Sequence, residues 1–495
     1  MKTYRFFFTI IIFLLLINSC SEKELDVIDP NNLSPESFFK TEAQVQSAVN
    51  AVYANLQTRG LYSRHMFFSH DNMSHENAGN PQLEADKRQY LDFSFDSSHG
   101  PIGDFWESCF RGINKANFVI GHEEAIHAIP DALLNEVRKQ KFIGEAKFLR
   151  ALYYFFLVNR FGDVPLITVI PESGAGFPKS SREEVYQQII TDLQEAAEVL
   201  LDKDIEENGR ATRGAAIALL GKVYLYRAQY QLALDAFNSL SGYALETEYF
   251  DNFTEENEHG IESIFEVEYD DDLGTSAQWD SSVSGAGPNE ATFRGQEYGL
   301  LNWFNVYPSD DLLDEYEPGD TRYADNFYAE GDSYAGGAYT ITAGDLTSGE
   351  LRRAGWKKYQ NYYKDVSEDM ESGINFKVIR YADVLLMMAE CENALGNQTN
   401  AIAYIDQVRA RAGLPLLADG PALSQEDVFQ AIVHERKVEL AGEQVRFNDI
   451  IRWGLAATEL ATTNFQIGKH ELWPIPDREI TSNENIGPED QNPGY

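Results

Sequence analysis

Apolar residues recur at helical spacing along two stretches of the chain and lose that spacing between them. The spacing predicts helices over 36–58, 104–124 and 131–161, then over 182–201, 212–228 and 230–240. Ahead of the fourth, "KSSREEV" offers Ser180 or Ser181 as N-cap with Glu183 or Glu184 three residues on, the pattern of a capping box. From 241 to 375 the texture changes to Gly, Asp and Tyr, with turn signals and short β-like runs such as "IESIFEVEY". Helical periodicity returns over 377–395, 399–412, 425–441 and 446–457, and a tail rich in Pro and Asn runs from 458 to 495. The fold class is mainly α, with a loop-rich, partly β insertion.

Two of the helical stretches repeat one pattern. "ATRGAAIALLGKVYLYRAQYQLALDAFNSL" reads as two short antiparallel helices. With Gly221 as the small residue at their crossing, the remaining positions of a tetratricopeptide repeat fall on Ile217, Leu220, Tyr224, Ala233 and Phe237. In "YADVLLMMAECENALGNQTNAIAYIDQVRARAGL" the same offsets give Leu385, Met388, Ala389, Ala401 and Ile405, with Glu392 in place of the tyrosine. Small residues at a crossing let two helices approach, and larger ones fill the grooves beside them.

The first residues are built differently. Lys2 and Arg5 precede an apolar run from Phe6 to Ile17, broken only by Thr9, and Ser19 and Cys20 follow. Twelve residues fall short of the roughly 20 that span a bilayer, and the basic front and small-residue exit have the form of a secretory signal. A cysteine directly after the small residue resembles the lipobox of bacterial lipoproteins, in which the thiol is acylated after cleavage. Residues 1–19 are then a signal peptide, and Cys20 is the lipidation site. Each methylene buried in the membrane contributes about 0.8 kcal/mol, so lipid alone can hold the protein there. Glu22, Glu24 and Asp26 make 20–35 an acidic tether, resembling the surface-export tags of some Gram-negative lipoproteins.

Charge narrows the partners. The chain has 79 acidic residues against 40 Lys and Arg, a formal net charge of −39, which argues against nucleic acid and against docking on anionic headgroups. No later stretch is apolar for the length of a transmembrane helix. Besides Cys20 there are only Cys109 and Cys391; two buried free thiols are expected, with a single bridge left open.

Five stretches taken together resemble the SusD/RagB family of outer-membrane nutrient-binding lipoproteins. They are "GEAKFLRALYYFFLVNRFGDVPL" at 144–166, "ADVLLMMAECENALG" at 382–396, "IDQVRARAGL" at 405–414, "IVHERKVELAGEQVRFNDIIRWG" at 432–454, and the ending "LWPIPDREI…QNPGY" at 472–495. They occur in the family's order. The resemblance implies a SusD-like domain over 36–495: a right-handed tetratricopeptide-like superhelix, about 36–240 and 376–457, carrying a ligand-binding insertion at about 241–375. It also implies a partner, a SusC-like TonB-dependent outer-membrane transporter, and an outward-facing, lipid-anchored place in the outer membrane.

Metal and catalytic motifs give little. In "HEEAIH" the histidines at 122 and 127 are five apart, about 140° around a helix, so one ion cannot take both. His65, His70 and His75, with Asp71 and Glu76, lie in a stretch that reads as a loop. "YDDDLG" at 269–274 offers hard oxygens to calcium, but a solvated turn explains it as well. No cofactor is expected, and no catalytic constellation appears.

The aromatics say more. Trp106, Trp453 and Trp473 fall in scaffold segments and are expected in the core. Trp279, Trp303 and Trp356 fall in the insertion, with Tyr298, Tyr307, Tyr359 and Tyr362. A flat ring covers the apolar face of a sugar while nearby polar groups bond its hydroxyls. Trp279, Trp303, Trp356, Tyr298, Tyr307 and Tyr359 are therefore the candidate ligand residues, for an oligosaccharide or polysaccharide. The alternatives are a peptide ligand on the same fold, or a structural tetratricopeptide adaptor.

Overall fold

A computed structural model describes residues 38–171, 174–273, 290–347, 353–364 and 372–495. Residues 1–19, expected as a signal peptide, Cys20, the stretch 20–35 expected as a tether, and Trp279 lie outside the described residues.

Eleven helices carry the argument. They are α1 (Glu42–Ala54), α2 (His65–Met73), α3 (Gly100–Ile120), α4 (Glu136–Phe161), α5 (Arg182–Val199), α6 (Arg213–Tyr226), α7 (Tyr230–Asn238), α8 (Tyr381–Ala394), α9 (Gln398–Arg411), α10 (Gln425–Glu439) and α11 (Arg446–Arg452). Ser181 and Glu184 form the capping box that starts α5, and Ser424 with Asp427 does the same for α10. Sequential helices pack on one another from α3 to α7, and α7 then packs on α8, joining the two helical stretches across the insertion. The crossings depend on small residues. A Cβ at Gly112 would lie 2.3 Å from the Tyr153 ring, and one at Gly221 would lie 2.4 Å from Phe237. Ala233, Ala389 and Ala401 are fully buried, as the repeat pattern requires.

Two local expectations are corrected. Helix α8 begins at Tyr381, because 376–380 is a strand. Strand β2 (Ser263–Val267), inside "IESIFEVEY", pairs antiparallel with β6 (Phe376–Arg380), and Tyr381 N donates to the Glu262 carbonyl beyond the pair. The stretch holding His65 and His70 is the helix α2 and not a loop. All nine of its residues are buried, so it has no polar face and no period to read.

The remaining strands are short. β1 (Asn77–Gly79) pairs with β3 (Val306–Pro308), and β4 (Phe327–Tyr328) pairs with β5 (Gly355–Trp356). Pairs this small cannot stand alone, and side-chain docking holds them. The C-terminal tail returns to the scaffold: Trp473 N donates to the Arg160 carbonyl at 2.6 Å, and Asn492 Nδ2 donates to Phe161 and Trp473 carbonyls. Trp106 and Trp473 are buried and Trp453 is half-buried. Cys109 and Cys391 are buried free thiols. No described helix is long and apolar enough to cross a membrane.

A buried ionic cluster joins the insertion to the scaffold. The Arg380 guanidinium meets Glu262 at 2.6 Å, Glu439 at 2.5 Å and Glu443 at 2.7 Å. Arg411 reaches Glu262 and Glu439, and Arg322 reaches Asp320, Glu435 and Glu439. Lys358 contacts Glu443 at 2.6 Å, the Tyr249 hydroxyl and the Ala441 carbonyl. Burial pulls its ammonium down to about 8. Glu435, Glu439 and Glu443 of "HERKVELAGE" thus lie inside the molecule.

Candidate functional site

The insertion has a small core of its own: Leu300, Phe304, Tyr328, Tyr334, Ile341 and Leu346, with Tyr307 and Tyr362 packed against it. Several chain neighbours of these residues are exposed. Trp303 lies between Leu300 and Phe304 and is 42% exposed, and Leu301 is exposed beside it. Tyr339 pairs with Tyr334 across a tight hairpin and is 40% exposed, its hydroxyl donating to Asp345 at 3.1 Å. Tyr307 is half-buried in β3, its ring 6.0 Å from Phe304. Tyr362 is half-buried and set edge-on to Tyr328, with Lys357 Nζ 4.2 Å from its centroid. Such a surface offers ring faces to C–H groups and carboxylates, such as Asp345, to hydroxyls.

Three of the sequence candidates are placed elsewhere. Trp356 is 0% exposed: its indole N–H donates to Asn77 Oδ1 at 2.7 Å, and its ring packs on Phe327 and Tyr298. Tyr298 is fully buried, donating to Asp71 Oδ2 at 2.9 Å and accepting from Asn77 Nδ2 at 3.0 Å under the Arg294 guanidinium. Tyr359 is buried and stacked on Phe376 at 4.8 Å, with its hydroxyl accepting from Lys377 N. Each polar tip has an internal partner, so these rings hold the insertion to the scaffold and present no face to solvent. Trp303 and Tyr307 remain at the surface. Sequence reasoning missed Tyr339, whose only signal was the Gly-rich turn "YAGGAY" around it.

Under these buried rings, desolvation raises two carboxyls. Asp71 stands at about 6, with Arg294 opposing the rise, and Glu76 stands at about 8, with Asp71 adding to it.

The histidines do not converge. His65 faces Asp104, His70 Nδ1 faces the Met66 carbonyl, and His75 faces the Leu91 carbonyl. In "HEEAIH", His122 meets the Phe118 carbonyl and His127 meets Glu136. Among the described residues the one group of three ligand-type side chains is His259, Glu266 and Glu268.

Comparison with known proteins places this geometry. The pattern described as "SusD family" matches residues 261–495, and one described as "Starch-binding associating with outer membrane" matches residues 24–225. SusD-like protein P2 of Formosa agariphila is 29% identical over 527 aligned positions, covering 100% of both chains. A SusD superfamily protein of Bacteroides vulgatus has a similar structure, with a TM-score of 0.79 at 25% identity, over 92% of this chain and all of that one. A laminarin-binding SusD-like protein aligns with a TM-score of 0.75 at 29% identity, over 92% of this chain and 100% of that one. The helical, tetratricopeptide-like fold is common to these proteins.

Proposed function

The chain belongs to the SusD/RagB family, and from that membership we propose that it captures glycans at the cell surface. The observation that carries the reading is Trp303, 42% exposed beside a small core that buries Phe304, Tyr328 and Tyr334. The laminarin-binding relative adds support and points to a glucan as the first ligand to try. A few ring stacks with several hydrogen bonds contribute about 4 to 8 kcal/mol, a millimolar to micromolar affinity suited to capture and release. The ligand site belongs to the 241–375 insertion, and the helices serve as its frame. Cys20 is the lipid attachment point, and a SusC-like TonB-dependent transporter in the outer membrane receives the glycan. No step of this role requires bond cleavage by the protein.

A combined glycan and peptide array on the purified protein tests the reading. Binding to glucans with no peptide signal is expected. A peptide-only response would move the ligand class, and no response to either would leave an adaptor. The anchor is tested by Cys20→Ala, which should release the protein from membranes of cells lacking the transporter.

A further inference from the structure

On the scaffold side of the insertion, β2 and the turn before it gather charged groups that the glycan platform does not use. Glu266 lies in β2 and Glu268 just past its end, and Asn375 Nδ2 reaches both carboxylates. The preceding turn returns His259 to them: its Nε2 lies 3.3 Å from Glu268 Oε1, and its backbone N–H donates to Glu266 Oε1 at 2.9 Å. One ligand atom from each of the three lies within 4.8 Å of the others.

We propose that His259, Glu266 and Glu268 bind one divalent transition-metal ion. Asn375 is the positioning residue. Its Nδ2 lies 3.1 Å from Glu266 Oε2 and 3.2 Å from Glu268 Oε1, and its Oδ1 is fixed by the Tyr269 N–H at 2.6 Å. A backbone bond from Asn375 N brings a third carboxylate, Glu258, to the same place. Against these three carboxylates stand the Lys377 ammonium, 2.6 Å from Glu266 Oε1, and the Lys203 ammonium beyond it.

A second observation comes from the chain beyond the triad. Beside the triad, a narrow pocket of about 30 Å³ is lined by Glu206, Arg210, His259 and Glu266 but not by Glu268, with Lys203 turned to the Gly260 and Ser263 carbonyls. That space accommodates a water-sized occupant. The Glu206 side chain is 1% exposed; Oε1 is taken by Lys141, and Oε2 has no hydrogen-bond partner among the described residues. A buried carboxylate oxygen left in this way is stabilised by a cation or a water bound to one. The imidazole directs the set to zinc-like ions over calcium, which prefers oxygen alone.

The site shares no residue with the glycan platform, and its test is independent of it. Full-length protein, purified in detergent without a histidine tag and stripped with chelator, is titrated with ZnCl2 by calorimetry, with CaCl2 in parallel. One equivalent of Zn2+ is expected, with a rise in melting temperature. His259→Ala and Glu268→Gln should abolish uptake, and Asn375→Ala should weaken it by roughly 10- to 100-fold. Glu268 is partly exposed, so Glu268→Gln should melt with the parent when metal is absent. Absence of uptake at millimolar Zn2+, equal uptake by parent and all three variants, or tighter binding of Ca2+ than of Zn2+ would each overturn the proposal.

Discussion

Where α6 crosses α7, the contact is a glycine under a phenylalanine ring; where the insertion meets α9 and α10, it is three arginines among buried carboxylates. The first kind of contact follows from helix geometry and is repeated with alanines where α8 meets α9. It needs only small residues at the crossing and apolar ones around it. The second kind joins an insertion with little regular structure to the helices α9 and α10. Desolvating ions costs about as much as their attraction returns, so such a cluster adds little net stability, but removing one partner strands the rest. The scaffold can therefore be altered gradually, whereas the insertion docks in one way.

The sharpest break of that contrast is Arg380→Ala. It leaves Glu262, Glu439 and Glu443 facing one another with one guanidinium fewer, and should cost about 3 to 5 kcal/mol in urea unfolding. A loss no larger than that of a surface substitution would show that the cluster does not hold the insertion.

Gly221→Val tests the other side. The added methyl groups meet the Phe237 ring, and repacking α6 against α7 should cost about 1 to 3 kcal/mol, read as a lower melting temperature with an unchanged helical spectrum.

A smaller effect separates the α2 side of the same docking face. Glu76 is raised to about 8 by burial and by Asp71, so the folded chain keeps a proton that the unfolded chain releases at an ordinary carboxyl pKa of about 4.5. Stability therefore falls as pH rises from that value through about 8. Glu76→Gln removes this contribution: the variant should gain on the parent between about pH 5 and about pH 9 in urea midpoints. A parallel pair of curves would contradict the raised carboxyl.

The same contrast decides what could be read from the chain. A long helix with one wet face carries its period in the sequence, and 182–201 and 230–240 lie within two residues of the observed ends. Helix α2 is hidden because all its residues are buried, and the helical spacing runs on through 377–380 because the partner strand that makes it β is more than a hundred residues away. Ring exposure was illegible for a related reason. Trp356 is buried with its indole N–H held by Asn77, 279 residues away in β1, and nothing near it in the sequence marks that partner. Such partners are set by docking and not by local pattern.

On the proposed reading the insertion gives its two described tryptophans different roles, Trp303 as an outer, ligand-facing ring and Trp356 as an inner, structural one. Measuring glucan affinity and melting temperature for Trp303→Ala and Trp356→Ala tests it most directly. Trp303→Ala should melt with the parent and lose about 1 to 1.5 kcal/mol of binding, roughly tenfold. Trp356→Ala should lose about 3 to 5 kcal/mol of stability. Parent-like glucan binding by Trp303→Ala would contradict the account.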